Sequence, residues 1–209
     1  MSSLRLYVGV VGLLLAVPCS FAQDLDFSVS LDDKPIGQHR FRITGPADAR
    51  SVTSEAQFDV RLLGLSVYRY QHRATEQWRG HCLAGLTATT DDDGEAGRVQ
   101  AQARGQALEV STAAGTQALP GCVMSFAYWS PAIRTQTQLL NAQTGQYERV
   151  RIQAMGSGPI DVRGQSTPAE RWRITGPQQP IDVWTLPNGD WVGLDSVVRG
   201  GRVLRYRLR

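Results

Sequence analysis

Apolar and polar residues alternate with period two over most of the chain, and turn residues break the alternation at short intervals. Leu25 to Leu31 reads LDFSVSL. After a turn from Asp32 to Gly37, HRFRIT puts Phe41 and Ile43 on one face and Arg40 and Arg42 on the other. Ser51 to Arg61 and Leu65 to Arg79 read as long strands, the second ending at Gly80; Leu83 to Thr90, a turn from Asp91 to Gly97, and RVQAQA form the next pair. RVRIQAM, ERWRIT, IDVWTL, GDWVGLDSVV and RVLRYRLR repeat the design, with turns at Gln143-Thr144-Gly145, Pro187-Asn188-Gly189-Asp190 and Arg199-Gly200-Gly201. Asn-Gly and Gly-Gly supply the positive φ that a type I′ hairpin turn requires. The pattern predicts an all-β fold: a strongly curved antiparallel sheet of about ten strands forming an open or closed barrel-like domain.

Two stretches depart from the pattern. Pro131 to Leu140 is a helix candidate, with Ser130 as cap and Pro131 at the first position, although a strand from Thr135 to Leu140 fits the same residues. Ala113 to Pro131, AAGTQALPGCVMSFAYWSP, is apolar and aromatic without alternation. It reads as a long connection across one end or face of the sheet, able to plug a barrel or cover a groove.

Residues 1–22 have the layout of a secretory signal peptide: Arg5, an apolar run from Leu6 to Val17, and Ser20-Phe21-Ala22 as a small-x-small cleavage site. That run is shorter than the ~20 residues a membrane-crossing helix needs, and no second candidate follows. Residues 23–209 are expected to form a single all-β domain, periplasmic or secreted after cleavage near Ala22. Lipid modification at Cys19 is disfavoured by Val17-Pro18, where a small residue is wanted. Removing the leader leaves Cys82 and Cys122, an even number bound for an oxidising compartment, and a disulfide is the expectation.

Charge narrows the partners. The formal net charge of +3 includes Arg5, and what remains is too small to imply nucleic acid. Lys34 is the only lysine, and the arginines recur at spacing two in HRFRIT, ERVRIQ, ERWRIT and LRYRLR, so each strand carries arginine on one face and bulky apolar groups on the other. Such a face is either neutralised by Asp and Glu on neighbouring strands or open to anionic envelope lipids.

The motifs of familiar chemistry are missing. GxSxG, GxxxxGK[ST], GxGxxG after a strand, SxxK, HExxH and paired CxxC do not occur, so no catalytic residue, metal ligand or cofactor is assigned. Asp91-Asp92-Asp93-Gly94-Glu95 lacks the alternate acidic positions of a calcium loop and reads as a solvated turn. His72 and His81 flank Trp78 and His39 stands apart; His81 and Cys82 are neighbours on a strand and point to opposite faces. Paired carboxylates could come from Asp161, Glu170, Asp182, Asp190 or Asp195 only through tertiary geometry.

YRYQHRATEQWRG, the following TDDDG, YW-x-P, LLNAQTG, LPNGDWVGL and the terminal YRL together resemble uncharacterised secreted bacterial proteins grouped as domains of unknown function. That resemblance spans Asp24 to Arg209 and implies a periplasmic curved sheet or incomplete barrel with no assigned activity. The architecture also bears a looser likeness to the LolA and LolB lipoprotein carriers. Three functions are weighed: a binding or carrier module for an apolar or amphipathic envelope ligand such as a lipid, an assembly factor that contacts an envelope protein, and a hydrolase with an unfamiliar site. The carrier requires an apolar cavity between the sheet and the connection through Cys122.

Overall fold

The structure, a computed structural model, describes residues 22–209. The expected leader and Cys19 lie outside the described residues, apart from Ala22, which opens the first strand. Eight strands come first: β1 (Ala22–Leu31), β2 (Lys34–Thr44), β3 (Ser51–Leu62), β4 (Leu65–Arg79), β5 (Cys82–Asp92), β6 (Glu95–Arg104), β7 (Ala107–Thr112) and β8 (Gly115–Pro120). A short hairpin, β9 (Gln138–Leu140) with β10 (Tyr147–Arg149), precedes β11 (Arg151–Val162), β12 (Gln165–Thr175), β13 (Ile181–Thr185), β14 (Trp191–Val197) and β15 (Val203–Leu208).

Thirteen of these strands form one antiparallel sheet in the order β11-β12-β13-β14-β15-β1-β2-β3-β4-β5-β6-β7-β8. It consists of two meanders joined where the last strand pairs with the first, Phe27 opposite Leu208 and Leu31 opposite Leu204. The sheet is strongly curved and not closed, since β8 and β11 remain its edges. Register shifts at five hairpins, such as Gln77/Trp78 and Ala154/Ser157, are bulges, which bend a strand and sharpen its twist. The β11 end rolls back over the sheet, where the Arg163 N–H donates to the Leu208 carbonyl at 2.9 Å.

Alternation builds the core. On β4, Tyr70, His72, Ala74, Glu76 and Trp78 face inward while the residues between them are exposed. Leu25, Phe27, Val29 and Leu31 do the same on β1. From Gly121 to Thr137 the chain leaves the sheet and crosses its concave side, burying Val123, Met124, Ala127 and Ile133. Leu139 and Leu140 of β9 are fully buried beside it, and the Leu140 N–H donates to the Met124 carbonyl at 2.8 Å. This plug is pinned at its entry by the Cys82–Cys122 disulfide, Cα to Cα 4.9 Å.

Three local expectations are corrected. The connection starts at Gly121, not Ala113, because Gly115–Pro120 pairs with β7 as an edge strand. The Asp91 to Gly97 turn shrinks to Asp93-Gly94, since β5 and β6 stay paired to Asp92 and Glu95. Pro131–Thr135 is a single 3-10 turn, because Gln136 is already extended, and only Gln138–Leu140 of the alternative strand forms.

Candidate functional site

Period-two alternation carries polar groups inward as readily as apolar ones. His39, Ala56 and His72 are consecutive partners across β2, β3 and β4, so both histidines face the concave side. His39 Nε2 lies 2.7 Å from Ser54 Oγ, and His72 Nδ1 lies 2.9 Å from Thr90 Oγ1. Burial pushes His39 down to about 3, with His72 adding to it, and burial alone pushes His72 down to about 4. Both rings are therefore neutral at pH 7, and the Nδ1 of His39 is buried without a partner among the described residues. Among the described residues neither ring hydrogen-bonds a carboxylate, and His81 is exposed at the β4–β5 turn. A buried base this weak, with nothing to orient it, is poorly placed to activate Ser54.

A second buried group joins sheet to plug. Glu76 accepts from Trp78 Nε1 at 3.0 Å and from Ser125 Oγ at 2.7 Å. Burial raises its pKa against the pull of both hydrogen bonds. Its partner Trp78 meets Trp129 edge-on at 5.3 Å, and elsewhere in the interior Phe27 lies 4.2 Å from Trp191 and Phe58 stacks on Tyr70 at 5.2 Å between ring centroids.

The plug packs closely where its 3-10 turn meets the sheet. A void among Tyr128, Ile133, Arg134, Trp172 and Val183 amounts to about 10 Å³, the room of one water. Arg134 stacks 4.3 Å over Trp172 and donates to Thr185 at 2.8 Å, closing that side. A wider open cleft of about 270 Å³ lies at the disulfide, lined by Arg79, Leu83, Ala103, Gln106 and both cysteines.

Outside, the arginine faces of HRFRIT, ERWRIT and LRYRLR are neutralised across strands, whereas Arg149 and Arg151 of ERVRIQ have no ion pair among the described residues. Arg173 holds Asp182 with two contacts of 2.7 Å, Arg207 meets Asp195 at 2.7 Å, and Arg42 meets Asp24 at 3.1 Å. The carboxylates considered as catalytic pairs are engaged there or in turns: Asp161 accepts from the Gly164 N–H and Asp190 from Asn188. Asp91, Asp92 and Asp93 serve Gly94 N, Tyr68 Oη and Arg69 N respectively, so their oxygens diverge.

One surface feature has no counterpart in the sequence expectations. At the β3–β4 turn, Leu62, Leu63, Leu65 and Val67 are exposed, Leu63 at 96%. Leu63 and Gly64 hold φ of 51° and 83°, the type I′ signature. The other non-glycine residues at positive φ among those described are Asp32, Asp33, Asp93 and Arg163, all polar. A leucine there bears about 1 kcal/mol of left-handed strain and gains no burial. The unalternated run Leu62-Leu63-Gly64-Leu65 was the available sequence signal.

A family model for a domain of unknown function, DUF6134, matches residues 27–209. The chain belongs to this family. No curated protein matches it. The DUF6134 chain is similar in fold to the crystal structure of a beta-barrel-like protein of domain of unknown function DUF1849 from Brucella abortus, with a TM-score of 0.66 over 90% of this chain and 95% of that one. At 12% identity the likeness shows the architecture alone. Among the described residues of this DUF6134 protein, no helix is long and apolar enough to cross a membrane.

Proposed function

We propose that this protein is a binding module of the cell envelope that engages its target on its outer surface, its interior being occupied by its own chain. The single observation that carries this reading is the plug: Met124, Leu139 and Leu140 occupy the concave side at 1% exposure or less, and the void under Ile133 and Trp172 has room for about one water. An acyl chain of a carried lipid needs a pocket of roughly 300 Å³ or more. The leader-like residues 1–22 and the Cys82–Cys122 bond support the envelope location.

The test is native mass spectrometry of the mature protein from the producing cell's envelope fraction, with organic extraction. An apo mass is the expected result. A lipid retained at one equivalent would restore the carrier and overturn the surface reading. The cleft beside the disulfide favours a second reading, a small amphipathic ligand near Arg79; a stoichiometric small adduct lost in Arg79→Ala would support it.

A further inference from the structure

We propose that the β3–β4 hairpin tip is a bilayer-docking finger, which inserts its aliphatic end into the interfacial layer of a lipid membrane. This rests on the surface-binding reading and names the partner of that surface.

The tip projects beyond its neighbours. β2 pairs with β3 only as far as Gly37 opposite Phe58, and β5 pairs with β4 only as far as Tyr70 opposite Asp92, with one further bond from the Asp93 N–H to the Arg69 carbonyl. Beyond these points β3 and β4 pair only with each other among the described residues, from Asp59 opposite Arg69 to Leu62 opposite Leu65, while β2 runs on to Lys34 in pairing with β1 and Val60 and Tyr68 still pack against the core. Three residues from Tyr68, which still packs against the core, to Leu65, at about 3.3 Å each, make an overhang of about 10 Å. Apart from its chain neighbours, no described residue lies within 4 Å of where a Cβ on Gly64 would stand.

Chemistry along the finger changes in bilayer order. At the end are Leu62, Leu63 and Leu65, exposed at 63%, 96% and 73%, with Val67 at 52%. Behind them stand Arg61, Ser66, Tyr68 and Arg69, of which Arg69 Nε reaches Ser66 Oγ at 3.1 Å and Tyr68 donates to Asp92 at 2.6 Å. Arginine stems and tyrosine rings are apolar along their length and polar at the end, which suits the headgroup layer. Asp59, bonded to Arg61 at 2.8 Å, together with Asp92 and Asp93, more than offsets the two arginines.

Size and shape favour lipid over protein. An apolar tip of a few hundred Å² is well short of the roughly 800 Å² per partner of a stable protein interface. It is also convex and apolar around its end, so only a deep recess or a fluid could cover it. A ring with no net positive charge predicts that insertion, not attraction to anionic headgroups, supplies the binding, and that the docking is weak and reversible.

The probe is flotation with phosphatidylcholine–phosphatidylethanolamine vesicles, using the mature chain from Gln23 so that the leader does not contribute. The wild type should float at both low and physiological salt. Leu63→Asn installs the Asn-Gly pair that a type I′ turn prefers, so the fold is kept while the partition coefficient falls about tenfold. Leu63→Trp should bind and shift its fluorescence to the blue on vesicle addition. A wild type left at the bottom of the gradient, equal flotation of Leu63→Asn, or binding confined to anionic vesicles and lost in salt would each overturn the proposal. So would a dimer that Leu63→Asn dissolves, which would make a second copy the partner. Loss of flotation with an apo mass spectrum sinks the finger alone, whereas a retained lipid in both wild type and Leu63→Asn sinks the surface reading.

Discussion

The Ser125 hydroxyl, on the plug, donates 2.7 Å to the Glu76 carboxylate, on the sheet wall. Burial raises the Glu76 pKa, so ionising it opposes folding. Its stabilising effect is full below the unfolded value near 4.5 and is lost as pH rises through the higher folded value. In Glu76→Gln the amide oxygen can accept from Trp78 and the amide nitrogen can donate to Ser125. Urea titrations from pH 4.5 to 8 should show that Glu76→Gln removes a decline with rising pH and stays within about 1 kcal/mol of wild type at pH 7. Glu76→Leu should cost about 1–3 kcal/mol, since it strands both donors. An unchanged pH slope in Glu76→Gln would refute the assignment.

His72 and His39 act in the opposite direction. Their folded values, about 4 and about 3, lie below the model-peptide 6.5, so the unfolded chain takes up protons first. Stability from the neutral rings is complete above pH 6.5 and is lost as pH falls toward 4. At about 1.4 kcal/mol per tenfold change in proton affinity, His72 alone accounts for a few kcal/mol. His72→Phe should flatten the acid limb of the stability profile, as followed by urea midpoint between pH 7 and 4. An acid limb identical to wild type would show that His72 is solvated in solution.

Much of the fold was legible because it rests on period two. β3 and β4 are found where Val52, Ala56 and Phe58, and then Tyr70, His72 and Trp78, alternate with exposed residues. Leu108 and Val110 carry the same signal over too short a run for β7 to have been expected, and β8 buries only Leu119 of its six residues, so its pattern is too faint to separate from the connection that follows. The plug's existence could be read from the aromatic run and Cys122. That it fills the concave side could not, because an interior that is packed and one that is hollow are lined by the same Val, Leu, Tyr and Trp. Glu76 falls on the inward face by the same alternation as Tyr70, His72, Ala74 and Trp78, but its hydrogen-bond partner Ser125 lies on the plug and could not be read from the strand. The Leu63 finger was legible in principle, since leucine in a tight turn contradicts turn chemistry.

The disulfide anchors the start of the plug to the first residue of β5, and the Leu83 N–H donates to the Val123 carbonyl at 2.8 Å beside it. The bond closes a separation of 40 residues. Cys82→Ser/Cys122→Ser should lower the unfolding free energy by about 4 kcal/mol in the chain-entropy picture. Tyr128 and Trp129 follow Cys122 closely, so their environment should loosen as well, seen as reduced near-ultraviolet circular dichroism before global unfolding. A loss below 1 kcal/mol would mean that the plug is held by its packing alone.

Ile160 of β11 sits directly over Gly193 of β14: a Cβ on Gly193 would stand 2.5 Å from Ile160 Cδ1 and 3.0 Å from the Tyr206 carbonyl oxygen. This close approach lets the free end of an unclosed sheet roll back and bury Ile160, which is 4% exposed. Gly193→Val should therefore cost about 3 kcal/mol by overpacking. Removing the opposing atoms should recover part of that cost, so Ile160→Ala, destabilising by about 2 kcal/mol or more alone, should show a favourable coupling of about 1 kcal/mol when combined with Gly193→Val. Strict additivity of the two changes would show that β11 does not lie on β14 in solution. The sheet would then be an open curved ribbon with a second exposed apolar strip along Ile160, and the finger at Leu63 would no longer be the main apolar surface offered to a partner.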